Sequence, residues 1–307
     1  LPTALIGWHC SDERTGEEGV KDTGVEISAF TSAQARETFQ RRYAASFARL
    51  WAVPFRTEDI ATRFGTVRAY RSGPHGVRPI VLLGGRCGFA ASWYKNAAAL
   101  SLGREVIALD PLGELGLSVQ HAPVCTPDDA VAWFDDVLDA TSARRGHLVG
   151  SADAAWLILG HQMQAGQPAS ALTLIEPAGI PATAAGFRGW LAAGNLAAWA
   201  PGAMRTKTAG WLGNVALADR ELSRLARFGV SFRRRVPIPA MPTQRQLASL
   251  AVPTTVLLGE HRIPYGRGSA LAGLVAAPAI HAEVVSGAGN AVALERPDVI
   301  SAAVLVR

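Results

Sequence analysis

HLVGSADAAW, from His147 to Trp156, runs from apolar residues through Gly150 into a helix-forming segment that continues to Gly160. Strand, tight turn and helix in that order form the backbone of a nucleophile elbow, G-x-S-x-G, with the serine at the tip of the turn. Gly150 is the first glycine of that pattern, Ala154 replaces the last, and the tip falls on Ala152. A methyl group cannot attack a carbonyl, so the covalent chemistry of this turn is missing from the chain. Ser151, one step early, would point away from the tip and reads as a turn residue.

Outward from the turn, strand-like and helix-like segments alternate. PIVLLG (Pro79 to Gly84), EVIALD (Glu105 to Asp110), LTLIE (Leu172 to Glu176), TTVLLGE (Thr254 to Glu260) and HAEVV (His281 to Val285) read as strands. PIVLLG is the solid apolar run of a strand covered on both faces. RFGTVRAYR, Arg63 to Arg71, alternates in the manner of an edge strand. Phe39, Tyr43, Phe47 and Leu50 recur at three- and four-residue steps and predict a helix over 33–51, with further helices at 92–100, 127–141, 152–164, 268–276 and 291–305. The alternation implies an α/β fold with a mostly parallel central sheet flanked by helices. Between Glu176 and Pro253 lie about 75 residues with Trp190, Trp199 and Trp211 and no strand-like run. That is too long for a loop and reads as a helical lid inserted above the strand ends. The expected division is an N-terminal extension, 1–32, a first core part, 33–177, the lid, 178–245, and a second core part, 246–307.

With 307 residues, 49% of them hydrophobic, and a net charge of +5, the chain can bury the core of one large domain. No segment approaches the roughly 18 consecutive apolar residues of a membrane span. The start lacks the basic, apolar, small-residue order of a secretory leader, and Cys10, Cys87 and Cys125 are too few and scattered for a disulfide framework or metal cluster; both features suggest a cytoplasmic setting. The densest charge, Arg233 to Arg235, reads as a solvated face. No helix-turn-helix, zinc or aromatic-and-basic pattern accompanies it, so nucleic acid is not an expected partner.

Taken together, LLGGRCG, DPLGELGLS, HLVGSADAAW, LTLIEPAG, the lid, VPTTVLLGEH and SGAGNAVALERPDVI resemble the α/β-hydrolase fold superfamily in order and spacing, from about Thr62 to the C-terminus, roughly four fifths of the chain. The helix and RFGTVRAYRSGP before them resemble actinobacterial members. By that resemblance the nucleophile position is Ala152, the histidine position Asn290, and the acid position falls near Arg262 or, in the other register, Gly266. All three then lack the usual side chain: a degenerate Ser/His/Asp triad. The backbone part survives: an oxyanion hole is expected from the amides of Asp153 and Arg86. GLS, Gly116 to Ser118, and Asp110 match structural positions that carry no chemistry.

An oxyanion hole without a nucleophile suits enolate chemistry, and the sequence leads to the expectation of a cofactor-free, non-hydrolytic isomerase, lyase or cyclase acting on a natural-product intermediate. Asp153, Glu176 and His261 are the candidate bases, and Asn290 would orient substrate. Gly85, Cys87, Trp190, Trp199 and Trp211 are expected to line the binding site of a small, largely apolar substrate, with no metal, no membrane and a homodimer compatible with the chain. Two alternatives stand beside this reading: an esterase-like hydrolase with serine changed to alanine at position 152, and a ligand-binding pseudoenzyme.

Overall fold

The computed structural model describes residues 27–76, 78–85, 88–165, 167–177, 204, 207–208, 219–237, 243–261 and 277–306. The strands are β1 (Ala29–Phe30), β2 (Phe55–Thr62), β3 (Gly65–Ser72), β4 (Ile80–Leu83), β5 (Val106–Leu109), β6 (Val119–Gln120), β7 (His147–Ser151), β8 (Ala171–Ile175), β9 (Phe232–Arg233), β10 (Thr254–Gly259) and β11 (Ile280–Val285). The described helices are α1 (Ala33–Leu50), α2 (Tyr94–Leu100), α3 (Pro127–Ala140), α4 (Asp153–Gln164), α5 (Arg220–Ala226), α6 (Gln244–Ala248), α7 (Val292–Glu295) and α8 (Pro297–Leu305).

The main sheet runs β2-β3-β5-β4-β7-β8-β10-β11, with β6 pairing to β3. From β5 to β11 every pairing is parallel, whereas β3 is antiparallel to both β2 and β5. Alternation along each strand divides the core. Val81, Leu83, Ile107 and Leu109 face one layer with α3 and α4. Ile80, Leu82, Val106 and Ala108 face the other, with α1, α2, α7 and α8. A strand with both faces covered must be apolar throughout, which is why β4 and β5 read as unbroken hydrophobic runs.

From β4 the chain crosses to β5 on one side and returns to β7 on the other. Such a reversal opens a crevice at the carboxyl ends of the two diverging strands, the place where open α/β sheets bind ligands. The crevice therefore lies beyond Leu83 of β4 and Ser151 of β7.

Three expectations change in detail, and one that was open is filled in. Arg63 to Arg71 is not an edge strand: β3 lies inside the sheet, and the edge is β2, whose eight residues include Arg56, Glu58 and Asp59. The helix expected over 291–305 is two helices. Pro297 has no N–H to donate and drives the preceding residue out of helical geometry, so Arg296 sits at φ −131°, ψ 62°. The end of the N-terminal extension is packed, because β1 pairs with β9 and buried Ser28 receives the amide of Arg235 at 2.7 Å. β9 is also a short strand in the segment read as wholly helical. The helix expected at 268–276 lies outside the described residues.

Asp110 fastens the loop after β4 to the sheet. Its fully buried carboxylate accepts from Tyr43 Oη of α1 at 2.6 Å, Ala90 N at 2.8 Å and Leu117 N at 2.9 Å. Burial raises its pKa, and the hydrogen bonds from Tyr43, Leu117 and Ala90 only partly offset this. Asp110→Asn would turn an NH2 group toward one of these donors, at an expected cost of about 1–3 kcal/mol in urea unfolding. An unchanged midpoint would show that the carboxylate is not the clasp. The structural role expected for Asp110 and Ser118 fits this arrangement, with Ser118 Oγ donating to Asp110 O and accepting from Arg68 N.

Candidate functional site

At the end of β7 the backbone turns sharply. Ala152 has φ 50° and ψ −124°, a conformation that costs a non-glycine residue about 1–3 kcal/mol and persists only where its surroundings enforce it. The surroundings do so on both sides. Ala152 N donates to Ile175 O at 2.9 Å, continuing the ladder to β8, and Ala152 O receives Ala155 N at 3.1 Å, opening α4. A side chain at Gly150 would meet Ile158 Cδ1 at 2.6 Å, so glycine there lets α4 lie close on the strand that feeds it.

Asp153 is the first residue of α4, where a helix presents amides without acceptors of its own and favours negative charge. Opposite it runs the loop after β4. A Cβ on Gly85 would lie 2.5 Å from Ser151 O, 2.7 Å from Asp153 N and 2.8 Å from Ala152 Cβ. Bare backbone at Gly85 is what allows the two loops to touch. Gly88 N closes the loop by donating to Gly85 O at 2.7 Å. Gly85, Ala152 and Asp153 thus meet at the crevice. Arg86 and Cys87, with Trp190, Trp199, Trp211, Arg262 and Gly266, lie outside the described residues.

Next to this meeting point is a cavity of about 50 Å³, walled by Leu83, Leu112, Trp133 and Leu157 and reaching Gly84, Gly85 and Asp153. Among the described residues that line it, the charged ones are Asp153, Glu114 and Arg234, all largely buried. Arg234 donates through Nε to Glu114 and through Nη1 to Val236 O at 2.6 Å, while Nη2 stands 3.9 Å from Asp153 Oδ2. Arg234 therefore corrects the reading of Arg233 to Arg235 as a solvated face. Glu114 and Arg234 were not anticipated. The signal available was a single carboxylate in the otherwise apolar and glycine-rich PLGELGL, which needs a partner if buried.

The other candidates are not gathered here. Glu176, at φ 46°, ends β8 with a buried carboxylate whose Oε1 accepts from Gly259 N, and its own amide donates to Leu257 O at 2.9 Å. It ties β8 to β10 and does not line the cavity. His261 has an exposed ring near Glu260, and its amide donates to Ala288 O at 2.8 Å. Asn290 is half-buried in the turn between β11 and α7, and the neighbouring Gly289 presses on the end of β10. Among the described residues no group of three or more His, Cys, Asp or Glu could hold a metal ion, and no helix is long and apolar enough to cross a membrane.

Carboxylesterase YbfK of Bacillus subtilis (strain 168) is 26% identical over 289 residues, which is 90% of this chain and 95% of that protein. The uncharacterized carboxylesterase nap of the same organism is 26% identical over 265 residues, 83% of this chain and 87% of that one. The crystal structure of carboxylesterase CesB (YbfK) from Bacillus subtilis matches with a TM-score of 0.77 at 25% identity, covering 89% of this chain and 98% of that one. No family model matches the chain.

These relatives overturn the expectation of a non-hydrolytic isomerase, lyase or cyclase on a natural-product intermediate, because both are named for ester hydrolysis and match over most of their length. The geometry removes two of the three candidate bases. Enolate chemistry needs a base facing the anion-stabilising amides. Of the three candidate bases only Asp153 borders the cavity; Glu176 is bonded to Gly259 N, and the His261 ring is exposed beside Glu260. A strand order that reverses at β4, a strained turn after β7 and an esterase structure that matches over 98% of its own length lead to one conclusion: the chain has the α/β-hydrolase fold.

Proposed function

We propose that this chain is an esterase-type protein whose crevice binds a small, largely apolar carboxylic ester, with Ala152 standing where a carboxylesterase carries its serine. The observation that carries the reading is the backbone at Ala152, which keeps a strained φ of 50° and holds the Asp153 amide against the Gly85 loop. Donors fixed in that way stabilise negative charge developing on a carbonyl oxygen, an effect of about 3–4 kcal/mol per donor. The named carboxylesterase relatives support the same substrate class. Sparse cysteines support a reducing, cytoplasmic setting.

The missing step is nucleophilic attack. In a serine esterase the hydroxyl gives its proton to an imidazole as it attacks. Alanine has no hydroxyl, and the neutral amide of an asparagine at position 290 is too weak a base for that proton. We expect Ala152→Ser alone to hydrolyse p-nitrophenyl acetate within about tenfold of the unaltered chain. The A152S/N290H pair, a serine and histidine without their acid, should exceed it by roughly 50-fold. A folded double variant that stays at background would overturn the reading. Vigorous hydrolysis by A152S alone would show that a base other than residue 290 serves the elbow.

A further inference from the structure

β11 ends the main sheet, and among the described residues it pairs only with β10. Ala279 O and Val285 O accept from Thr254 N and Glu260 N on the β10 side. The odd-numbered residues therefore bond inward, and Ile280, Ala282 and Val284 turn their peptide groups outward. Ile280 N is taken by Ala277 O at 3.0 Å, but among the described residues nothing meets the N–H and C=O groups of Ala282 and Val284. Such an edge is a template for another strand. Its two faces differ. Ile280 and Ala282 pack on the layer of α3 and α4, and Val284, next on that face, is 37% exposed. His281 and Glu283 stand exposed on the other face. Among the described residues neither makes a hydrogen bond or an ion pair; the charge of Glu283 reaches Arg296, which is itself bonded to Asp298 and Ser286 O. The opposite edge is unlike this one, because β2 commits Arg56, Glu58 and Asp59 to Glu105, Arg71 and Arg68 of its own sheet.

We infer that β11 docks a second copy of this chain, adding the partner's β11 antiparallel about a twofold axis at Ala282, with His281 of each protomer opposite Glu283 of the other. The strand is complementary to itself in this register. In an antiparallel pair, outward residues exchange hydrogen bonds only with outward residues, so the axis passes through a residue and not between two. Placed at Ala282, it lets Ala282 N donate to the partner's Ala282 O and Val284 N to the partner's Ile280 O, and symmetry repeats both bonds. On the apolar face Val284 then covers the partner's Ile280. On the other face a histidine lies directly across from a carboxylate, to which its ring donates in either protonation state. An axis at His281 or at Glu283 would instead set each of these residues against its own copy, and like charges directly opposite destabilise a sheet. The crevice beyond β4 and β7 is three strands from β11, roughly 14 Å at the usual strand spacing, so the pairing leaves it open.

Sedimentation velocity of the full chain from about 5 to 200 μM should show monomer passing into dimer, the span expected of a small edge-to-edge interface. His281→Glu sets two carboxylates against each other at both ends of the pairing and should raise the dissociation constant at least about tenfold. Adding Glu283→Lys to His281→Glu restores opposite charges in reversed order and should return the constant to within about threefold of the unaltered chain. That return separates strand pairing from a loss of fold, because both side chains are exposed and a second substitution does not repair a misfolded first. A chain that stays monomeric throughout, a dimer that His281→Glu leaves intact, or a dimer that the paired substitutions fail to restore overturns the proposal.

Discussion

Gly85→Ala is expected to lower stability by about 3 kcal/mol and to abolish ester binding, whereas Gly103→Ala shifts stability by less than about 0.5 kcal/mol. A methyl group at position 85 would lie within 2.8 Å of three atoms, Ser151 O, Asp153 N and Ala152 Cβ. All three belong to the elbow, and two are backbone atoms with little room to yield. The elbow is held by the ladder bond from Ala152 N to Ile175 O and by the packing of α4 on β7. Relief must therefore come from displacement of the Gly85 loop, which withdraws one side of the proposed anion site. At Gly103 an added methyl meets nothing within 4 Å, so the same change in chain entropy occurs without the clash. Urea unfolding of both variants, with ester titration of the folded protein, separates the two effects. Native-like stability and binding in Gly85→Ala would mean that the loop and the elbow are not in contact.

The features legible in the sequence are those with a local cause. A strand buried on both faces must be apolar throughout, and PIVLLG and TTVLLG have no other reading; a turn that packs a helix tightly on its strand needs Gly150 and small residues after it, so the turn at Ala152 is legible in the sequence itself. β2 was not found because an edge strand can carry Arg56, Glu58 and Asp59, and its pairing depends on partners such as Arg68 and Arg71 in β3. Arg234 and Glu114 were missed for a related reason. They are 120 residues apart, and an ion pair over that separation leaves no periodicity in the chain. Glu176 follows β8 directly, and its hydrogen bond to Gly259 N, 83 residues away, makes it a clasp between strands that the sequence alone did not reveal. Function was misjudged at the same boundary: the absent serine was read as a different chemistry, while the relatives that match the chain are named carboxylesterases.

Glu105→Ala is expected to cost about 3–5 kcal/mol at pH 7, the range for removing one partner of a buried ion pair, and to flatten the loss of stability on acidification. The Glu105 side chain is 1% exposed and bonds bidentately to Arg71, Nε–Oε1 at 2.9 Å and Nη2–Oε2 at 3.0 Å, with Arg56 at 2.7 Å and His75 at 3.0 Å completing the cluster. Removing the carboxylate leaves Arg71, itself 9% exposed, with Glu58 as its remaining ion-pair partner. Burial pushes the Glu105 carboxyl up, but the hydrogen bonds and charge of Arg71, followed by those of His75, outweigh it and hold the pKa below the ordinary 4.5. A folded-state value below the unfolded one gives stability that is present above pH 4.5 and is lost as the pH falls through the depressed value. Asp110 acts in the opposite sense. Its raised pKa favours the fold at low pH, and that contribution is lost as the pH climbs from 3.8 through the raised value. Asp135, Asp139, Glu221 and Asp298 are also depressed by arginine partners and add to the acid limb in both proteins, so the difference between wild type and variant isolates Glu105. Urea midpoints measured from pH 7 down to pH 3 should converge as Glu105 becomes protonated in the wild type. Parallel curves over that range would show that folding leaves the proton affinity of this carboxylate unchanged.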